Sequence, residues 1–410
     1  MERVETATPG RDERTRPVRL LVVAHSLEHG GAEHSLLLLL ERLDRTAFDC
    51  LLAAPEGPMQ ERFLGRCRPA VLLRRGYLPL TCQILSYARA FYATVVNTMR
   101  LRWYMRRHPV DLVLTNTGVA LHGPLAAALC GVPGVTLMRE IVSPPIVRAA
   151  LFRLLLRLNR RVIANSRAAV LAADGLAADK MMVVHGGVEL DGARPTPGAA
   201  GVMPAFPARG PLIGMIGTVH PIKGHEAFLR MAALAAPRLP EASFVIVGSY
   251  EGGSHYYRTL LRLRRQLGLD QRVVFTGFVE RMESVFDRLS AVVITSSTES
   301  LPRVALEAMA AARPVVAFDV GGVSELVQDG VTGRLIRNGD LEAMADAVCR
   351  LVESPSEAAR LGEGGRARVR QSFQLGPSMA RIEAVLREVV AEGVVDGAAG
   401  RPARARGGTV

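Results

Sequence analysis

The sequence predicts two α/β domains, each a doubly wound parallel sheet, facing one another across a cleft. Three observations predict it. The chain has 410 residues, too many for one ordinary core. Short apolar runs alternate with helix-period stretches from end to end, the pattern of a parallel sheet with helices on both faces. The alternation breaks once, at 189–210 (ELDGARPTPGAAGVMPAFPARG), where Pro, Gly and Ala follow no period; such a stretch reads as a linker.

The segments follow in order. Residues 1–16 are charged and lack an apolar signal-peptide core, so a disordered N-terminus is expected there. The first domain is expected over 17–190, with strands at 19–24, 50–53, 71–73, 112–115, 135–138, 162–164 and 182–185. Its helices are expected at 36–43, 83–107, 119–129 and 146–159. The linker is 191–210. The second domain spans 211–375, with strands at 212–216, 244–247, 273–275, 292–295, 315–318 and 333–336. Its helices are expected at 225–236, 256–268, 282–289, 304–312 and 341–353. Helices then fill 356–395, the last (376–396) being a candidate to cross back to the first domain. A disordered tail is expected over 397–410. In open α/β sheets ligands bind at the carboxyl ends of the strands, which here would face the cleft.

Composition narrows the class. Apolar residues make up 49% and charged residues 22%, a globular balance, and no apolar run reaches the ~18 residues of a membrane span. With no signal or span, a cytoplasmic location is expected. Cys50, Cys67, Cys82, Cys130 and Cys349 follow no Cys-x-x-Cys spacing and read as reduced, mostly buried thiols. The net charge of +12 suits anionic substrates, an anionic membrane surface or simply an Arg-rich composition. Aromatics are only 5%, too sparse for a nucleic-acid stacking platform, so no nucleic-acid partner is expected.

Four stretches carry chemistry. In 295–310 (TSSTESLPRVALEAMA) a strand gives way to a helix near 301–304. Pro302 suits its first turn, and Glu299 and Glu307 flank its opening. Were the whole stretch helical, the two carboxylates would lie about 12 Å apart along the axis and some 80° apart around it. One elongated ligand would then reach both, with a phosphate at the helix start. The alternative is a capping glutamate and a solvated one. In 320–333 (VGGVSELVQDGVTG), Gly321 and Gly322 allow close backbone approach to a ligand; an ordinary turn reads the same way. In 214–224 (GMIGTVHPIKG), Lys223 opens a helix where an ammonium can meet a phosphate or simply face solvent. In 29–35 (HGGAEHS), Gly30 and Gly31 open another helix. His25, His29 and His34 lack companion ligands, and no metal site is expected. No Asp-x-Asp pair, P-loop, G-x-G-x-x-G or G-x-S-x-G occurs.

Together these stretches resemble the family-4 glycosyltransferases (glycosyl transferases group 1), retaining enzymes of GT-B fold with two Rossmann-like domains around an interdomain cleft. The resemblance spans 19–389 and is strongest over 211–351. It rests on the E-x7-E pair, the following ALEAMAAARPVVAFDVGGVSELVQDGVTGRLI, the P-x-K-G loop at Lys223, VFTGFVE at 274–280 and the early HGGAE. ANSRAAV and VVHGGVEL before the linker also fit.

The resemblance implies roles. Glu299 would meet hydroxyls of the transferred sugar, Glu307 the donor ribose and Lys223 the diphosphate, which makes Glu299 and Lys223 the catalytic candidates. Backbone around Ser300, Leu301 and Pro302, and Gly321, Gly322 and Val323, would support sugar and phosphates. Gly30 and Gly31 would reach the diphosphate on closure, and Phe278 and Val279 would lie near the base. No cofactor or metal is implied; Lys, Arg and backbone N–H groups would meet the charge of the departing nucleotide. The partners implied are a nucleotide-sugar donor and a glycan, lipid-linked or small-molecule acceptor.

The sequence departs from this pattern in places. Thr218 stands where relatives often carry a second phosphate-binding Arg. Arg303, inside the E-x7-E, is a candidate replacement or a surface residue. His185-Gly186 replaces Asn-Gly, and Arg139-Glu140 replaces a histidine and supplies the acceptor-side candidates. Two arginine-rich helices, 147–161 and 100–107, suit peripheral contact with an anionic membrane at its inner face, or else are solvated basic faces. Competing functions are a sugar phosphorylase or epimerase on the same fold, or a non-catalytic nucleotide-sugar-binding partner.

Overall fold

The computed structural model describes residues 16–76, 84–142, 145–171, 178–190, 210–250 and 253–400. The predicted disorder over 1–15 and 401–410, and the linker over 191–209, lie outside the described residues.

The first domain runs β1 (Val18–Val23), α1 (Gly31–Arg42), β2 (Phe48–Ala54), α2 (Gln60–Leu64), β3 (Arg68–Leu72), α3 (Ile84–Arg107), β4 (Leu112–Thr115), α4 (His122–Cys130), β5 (Gly134–Met138), α5 (Pro145–Leu158), β6 (Arg161–Ala164), α6 (Arg167–Leu171) and β7 (Met181–Val183). Its seven strands are parallel in the order β3-β2-β1-β4-β5-β6-β7. The second domain runs β8 (Leu212–Ile216), α7 (His225–Ala235), β9 (Ser243–Val247), α8 (His255–Gln266), β10 (Val273–Gly277), α9 (Met282–Arg288), β11 (Ala291–Ile294), α10 (Arg303–Ala310), β12 (Val315–Phe318), α11 (Val323–Leu326) and β13 (Gly333–Ile336), followed by α12 (Leu341–Glu353), α13 (Pro355–Ser372) and α14 (Leu375–Gly400). Its six strands are parallel in the order β10-β9-β8-β11-β12-β13.

Both sheets reverse direction of winding once, between β1 and β4 and between β8 and β11. Both faces of each sheet are covered, which is why the strands read as continuous apolar runs. Leu20 and Val22 point to one layer with Leu36, Leu40 and residues of α14. Leu21 and Val23 point to the other, with Leu101 of α3 and Ala126 of α4. Each fully buried leucine contributes roughly 2 kcal/mol of transfer free energy.

Helix α14 lies on the first domain although it follows the second. Leu375, Met379, Ile382, Val385, Leu386 and Val389 belong to the same core as β1 and α1. The chain crosses beside Val188, whose N–H donates to Phe373 O (3.0 Å) and whose carbonyl accepts the Leu375 N–H (3.1 Å). The helix runs on to Gly400, past the tail boundary predicted at 397; Gly393 and Gly397 weaken a helix without ending it, and the first proline after them is Pro402.

In the basic stretch 147–161, Arg153, Arg157 and Arg160 are exposed. The apolar side of α5, including Leu151, Phe152 and Leu155, is buried, and Arg161 is engaged by Glu388 (2.7 Å) and Glu392 (2.5 Å) of α14. Among the described residues no helix is long and apolar enough to cross a membrane. Cys50, Cys67, Cys130 and Cys349 are free thiols; Cys82 lies outside the described residues.

Candidate active site

The carboxyl ends of β8 and β11 are adjacent at the point where the second sheet reverses, and the loops after them carry the two strongest candidates. After β8, the His220 ring accepts the Ile222 N–H (3.3 Å) and caps a short turn, Pro221–Lys223. Gly224 ends that turn at φ +73°, and a Cβ there would lie 1.9 Å from Thr295 O. Only glycine lets the turn close onto β11 in this way. Thr295 Oγ1 then donates to Gly224 O (2.9 Å). Lys223 is thereby held over the next loop, where its Nζ donates to Glu299 Oε1 (2.6 Å). Ser296 Oγ donates to the same oxygen (2.7 Å).

Helix α10 opens at Arg303 with Pro302 as its N-cap, one position later than a first-turn proline. Glu299 therefore sits in the loop before the helix and Glu307 one turn inside it. The helical spacing between the two carboxylates does not exist, because Pro302 keeps residue 301 out of helical geometry. They still line one cavity of about 770 Å³ between the domains. Arg303 Nε stands 2.8 Å from Glu307 Oε1, and Arg303 Nη1 donates to Gly187 O (3.4 Å). Burial raises the Glu307 carboxyl above its ordinary value, with Arg303 pulling it back.

The cavity is also lined by Gly30, Gly31, Thr218, Phe278, Val279, Leu301, Pro302, Arg139 and Glu140. Four of the predicted donor contacts do not line it: Ser300, Gly321, Gly322 and Val323. Val323 is fully buried. A Cβ on Gly321 would lie 2.0 Å from Glu299 O, and one on Gly322 1.8 Å from Ser300 O. The glycines thus let this loop pack under the Glu299 loop, and Gly322 N–H donates to Glu299 O (2.9 Å). Ser300 turns to the first domain, donating to Asn165 Oδ1 (2.5 Å) and meeting Ser166 Oγ at 3.0 Å.

The first domain closes the other wall. The His29 ring stacks on Phe278 across the cleft (centroids 4.0 Å apart), and Gly31 faces Arg303. Glu140 accepts N–H bonds from Gly118 (3.3 Å) and Arg139 (3.2 Å). Burial raises the Glu140 carboxyl and lowers the Arg139 guanidinium to about 10, which leaves Arg139 cationic near neutrality. Sequence reasoning passed over Glu33. It is buried, lies against Gly30, and its carboxyl is pushed up to about 7 by desolvation. Its position three residues after the helix N-cap, where a glutamate folds back on the opening turn, was the available signal. His34 and Arg62 also line the cavity; burial, helped by Arg303 and Arg62, holds the His34 ring down to about 4, neutral at pH 7. Among the described residues no three His, Cys, Asp or Glu converge as a metal site.

This arrangement, two parallel-sheet domains closing on a cavity lined by carboxylates and cations, is that of the GT-B glycosyltransferases. The model of Glycosyltransferase Family 4 matches residues 29–191 and that of Glycosyl transferases group 1 matches residues 210–354; the chain belongs to this family. A D-inositol 3-phosphate glycosyltransferase of Mycolicibacterium paratuberculosis is 36% identical over 181 residues, 43% of this chain and 40% of the relative. Its counterpart in Nocardia farcinica is 34% identical over 190 residues, 45% of this chain and 42% of the relative. The matched segment thus spans well under half of these relatives' length. Anabaena HepE, solved with UDP and glucose, superposes with a TM-score of 0.75 at 23% identity, over 90% of this chain and 99% of that one. A sucrose-phosphate synthase from Thermosynechococcus elongatus gives 0.76 at 21%, over 92% and 100%. These two likenesses show the fold.

Proposed function

We propose that this chain transfers a sugar from a nucleoside-diphosphate sugar to an acceptor hydroxyl, with retention at the anomeric carbon and without a metal. The observation that carries the reading is the Lys223–Glu299 contact of 2.6 Å at the strand-end switch point, with Glu307 lining the same cavity. In this reading Lys223 leaves Glu299 for the diphosphate and takes up charge as the bond from anomeric carbon to phosphate oxygen breaks. Glu299 is freed to hold sugar hydroxyls, and Glu307 takes the ribose. The acceptor oxygen bonds the anomeric carbon from the face the diphosphate leaves, and its proton passes to the departing phosphate oxygen. Arg139 and Glu140 position the acceptor. Closure of the two domains keeps water from the donor.

HepE was solved with UDP and with UDP-glucose, which makes uridine donors the first to try. The named relatives put a phosphorylated polyol among the acceptors to try, beside glycans and lipid-linked sugars. The test is a melting-temperature screen with uridine, guanosine and adenosine diphosphates, followed by acceptor-dependent release of the nucleotide that binds. A ligand at about a hundred times its Kd stabilises by about 2.7 kcal/mol. The reading is lost if no nucleoside diphosphate raises the melting temperature.

A further inference from the structure

Helix α3 turns an apolar face to solvent. Phe91 is 73% exposed and Trp103 56%, and Val95 and Met99 between them are exposed as well. The four are spaced by four residues, so they form one stripe along the helix, about 18 Å long. Tyr92 widens it. Ala93, Asn97 and Leu101 face the other way and are buried. Exposed Leu72 on edge strand β3 lies alongside, its carbonyl accepting from Arg100 (2.8 Å). A contiguous apolar surface of this kind marks an interface.

Charge says what covers it. Helix α3 carries Arg89, Arg100, Arg102, Arg106 and Arg107 and no Asp or Glu. Arg107 lies over the Trp103 ring at 4.1 Å, and Arg74 over the Tyr92 ring at 5.5 Å. A second copy of the chain, pairing this face with itself, would set arginines against arginines with no carboxylate on the helix to answer them. A bilayer containing anionic lipid answers both features. The stripe enters the boundary of the acyl chains, the arginines reach headgroup phosphates, and Trp and Tyr rest at the headgroup level.

We propose that the α3 face docks this chain peripherally on an anionic lipid bilayer. Arg75, between β3 and α3, pairs with Glu28 (2.7 Å), the residue before the cavity-lining His29. Docking on α3 therefore brings the first-domain rim of the cavity toward the leaflet, where a lipid-linked acceptor would be presented. The inference does not depend on sugar transfer.

Trp103 is the one tryptophan of the chain, so its emission reports on this face alone. Vesicles of equal parts phosphatidylglycerol and phosphatidylcholine are expected to sediment the protein at low salt, at least about tenfold better than phosphatidylcholine alone. Trp103 emission should move to the blue and be quenched by brominated lipid. A variant carrying Phe91→Ser, Val95→Ser and Met99→Ser should lose vesicle binding while keeping its melting temperature, and Arg153→Gln with Arg157→Gln on α5 should keep both. The proposal is overturned if the wild type does not sediment with phosphatidylglycerol, if it sediments with Trp103 emission unchanged, or if the stripe variant binds like the wild type. It is equally overturned if the wild type is a dimer in ultracentrifugation and the stripe variant a monomer.

Discussion

Lys223 Nζ lies 2.6 Å from Glu299 Oε1, so the two groups best placed to hold opposite parts of a donor hold one another. In the proposed reaction the pair is an exchangeable contact: a diphosphate would compete for the ammonium and sugar hydroxyls for the carboxylate. Lys223→Ala is expected to lower kcat/KM by about a hundredfold or more, as loss of one charge-stabilising donor does. Because Lys223 is one-third exposed, the pair itself adds no more than about 1 kcal/mol to stability. Steady-state transfer and a thermal melt check both halves. Near-normal turnover in the variant would remove Lys223 from the chemistry.

Arg303 and Glu307 make the second pair, and they should separate by ligand. Glu307→Ala is expected to weaken a nucleoside and its diphosphate alike, each by about tenfold or more, the range for a hydrogen bond to a charged group. Arg303→Ala should weaken the diphosphate and leave the nucleoside unchanged, since a guanidinium acts on phosphate. Titration calorimetry with both ligands decides it. Unchanged diphosphate affinity in Arg303→Ala would leave Arg303 as a brace on Glu307 and Gly187.

Glu33 gives the stability a pH dependence. Its carboxyl is raised from 4.5 to about 7 by burial. In the window between those values the folded chain keeps a proton that the unfolded chain has released. Its contribution is therefore full at low pH and is lost as pH rises through about 7. The whole effect is about 3 kcal/mol. Glu33→Gln has no such proton to lose. Its melting temperature relative to wild type is expected to climb between about pH 5 and about pH 8, and a flat difference across that range would contradict the assignment.

The strands were legible because parallel strands buried on both faces are continuous apolar runs; β4, β8, β12 and β13 fall where the pattern puts them. Helix α12 is equally plain, since Asp340 caps it by accepting the Ala343 N–H (3.0 Å). In the site, Glu299 and Glu307 were found through a helical spacing that Pro302 in fact interrupts. Gly321 and Gly322 signalled close backbone approach, and the neighbour the structure shows is the Glu299 loop. Helix α3 shows what pattern alone leaves open. Periodicity separates its two faces, yet Phe91 and Trp103 look like core residues until the packing shows Ala93 and Leu101 taking that place. The crossing of α14 to the first domain was expected, but contacts between single side chains of the two domains leave no such trace.

Glu325 is such a contact. From α11 of the second domain its carboxylate accepts the N–H groups of Arg167 and Ala168 (2.8 Å each) at the start of α6 in the first, and its Oε2 lies 2.7 Å from His185 Nε2. One side chain thus ties the two domains beside the loop where Ser300 meets Ser166, which gives a physical reason for histidine at 185. Glu325→Ala leaves two backbone donors without their acceptor, at a cost of about 1–3 kcal/mol. The expected result is a lower melting temperature together with a larger radius of gyration in X-ray scattering, reversed in part by a saturating nucleoside diphosphate that draws the walls together. A variant that melts earlier but keeps the wild-type radius would show the carboxylate to be a local brace rather than a tie between domains.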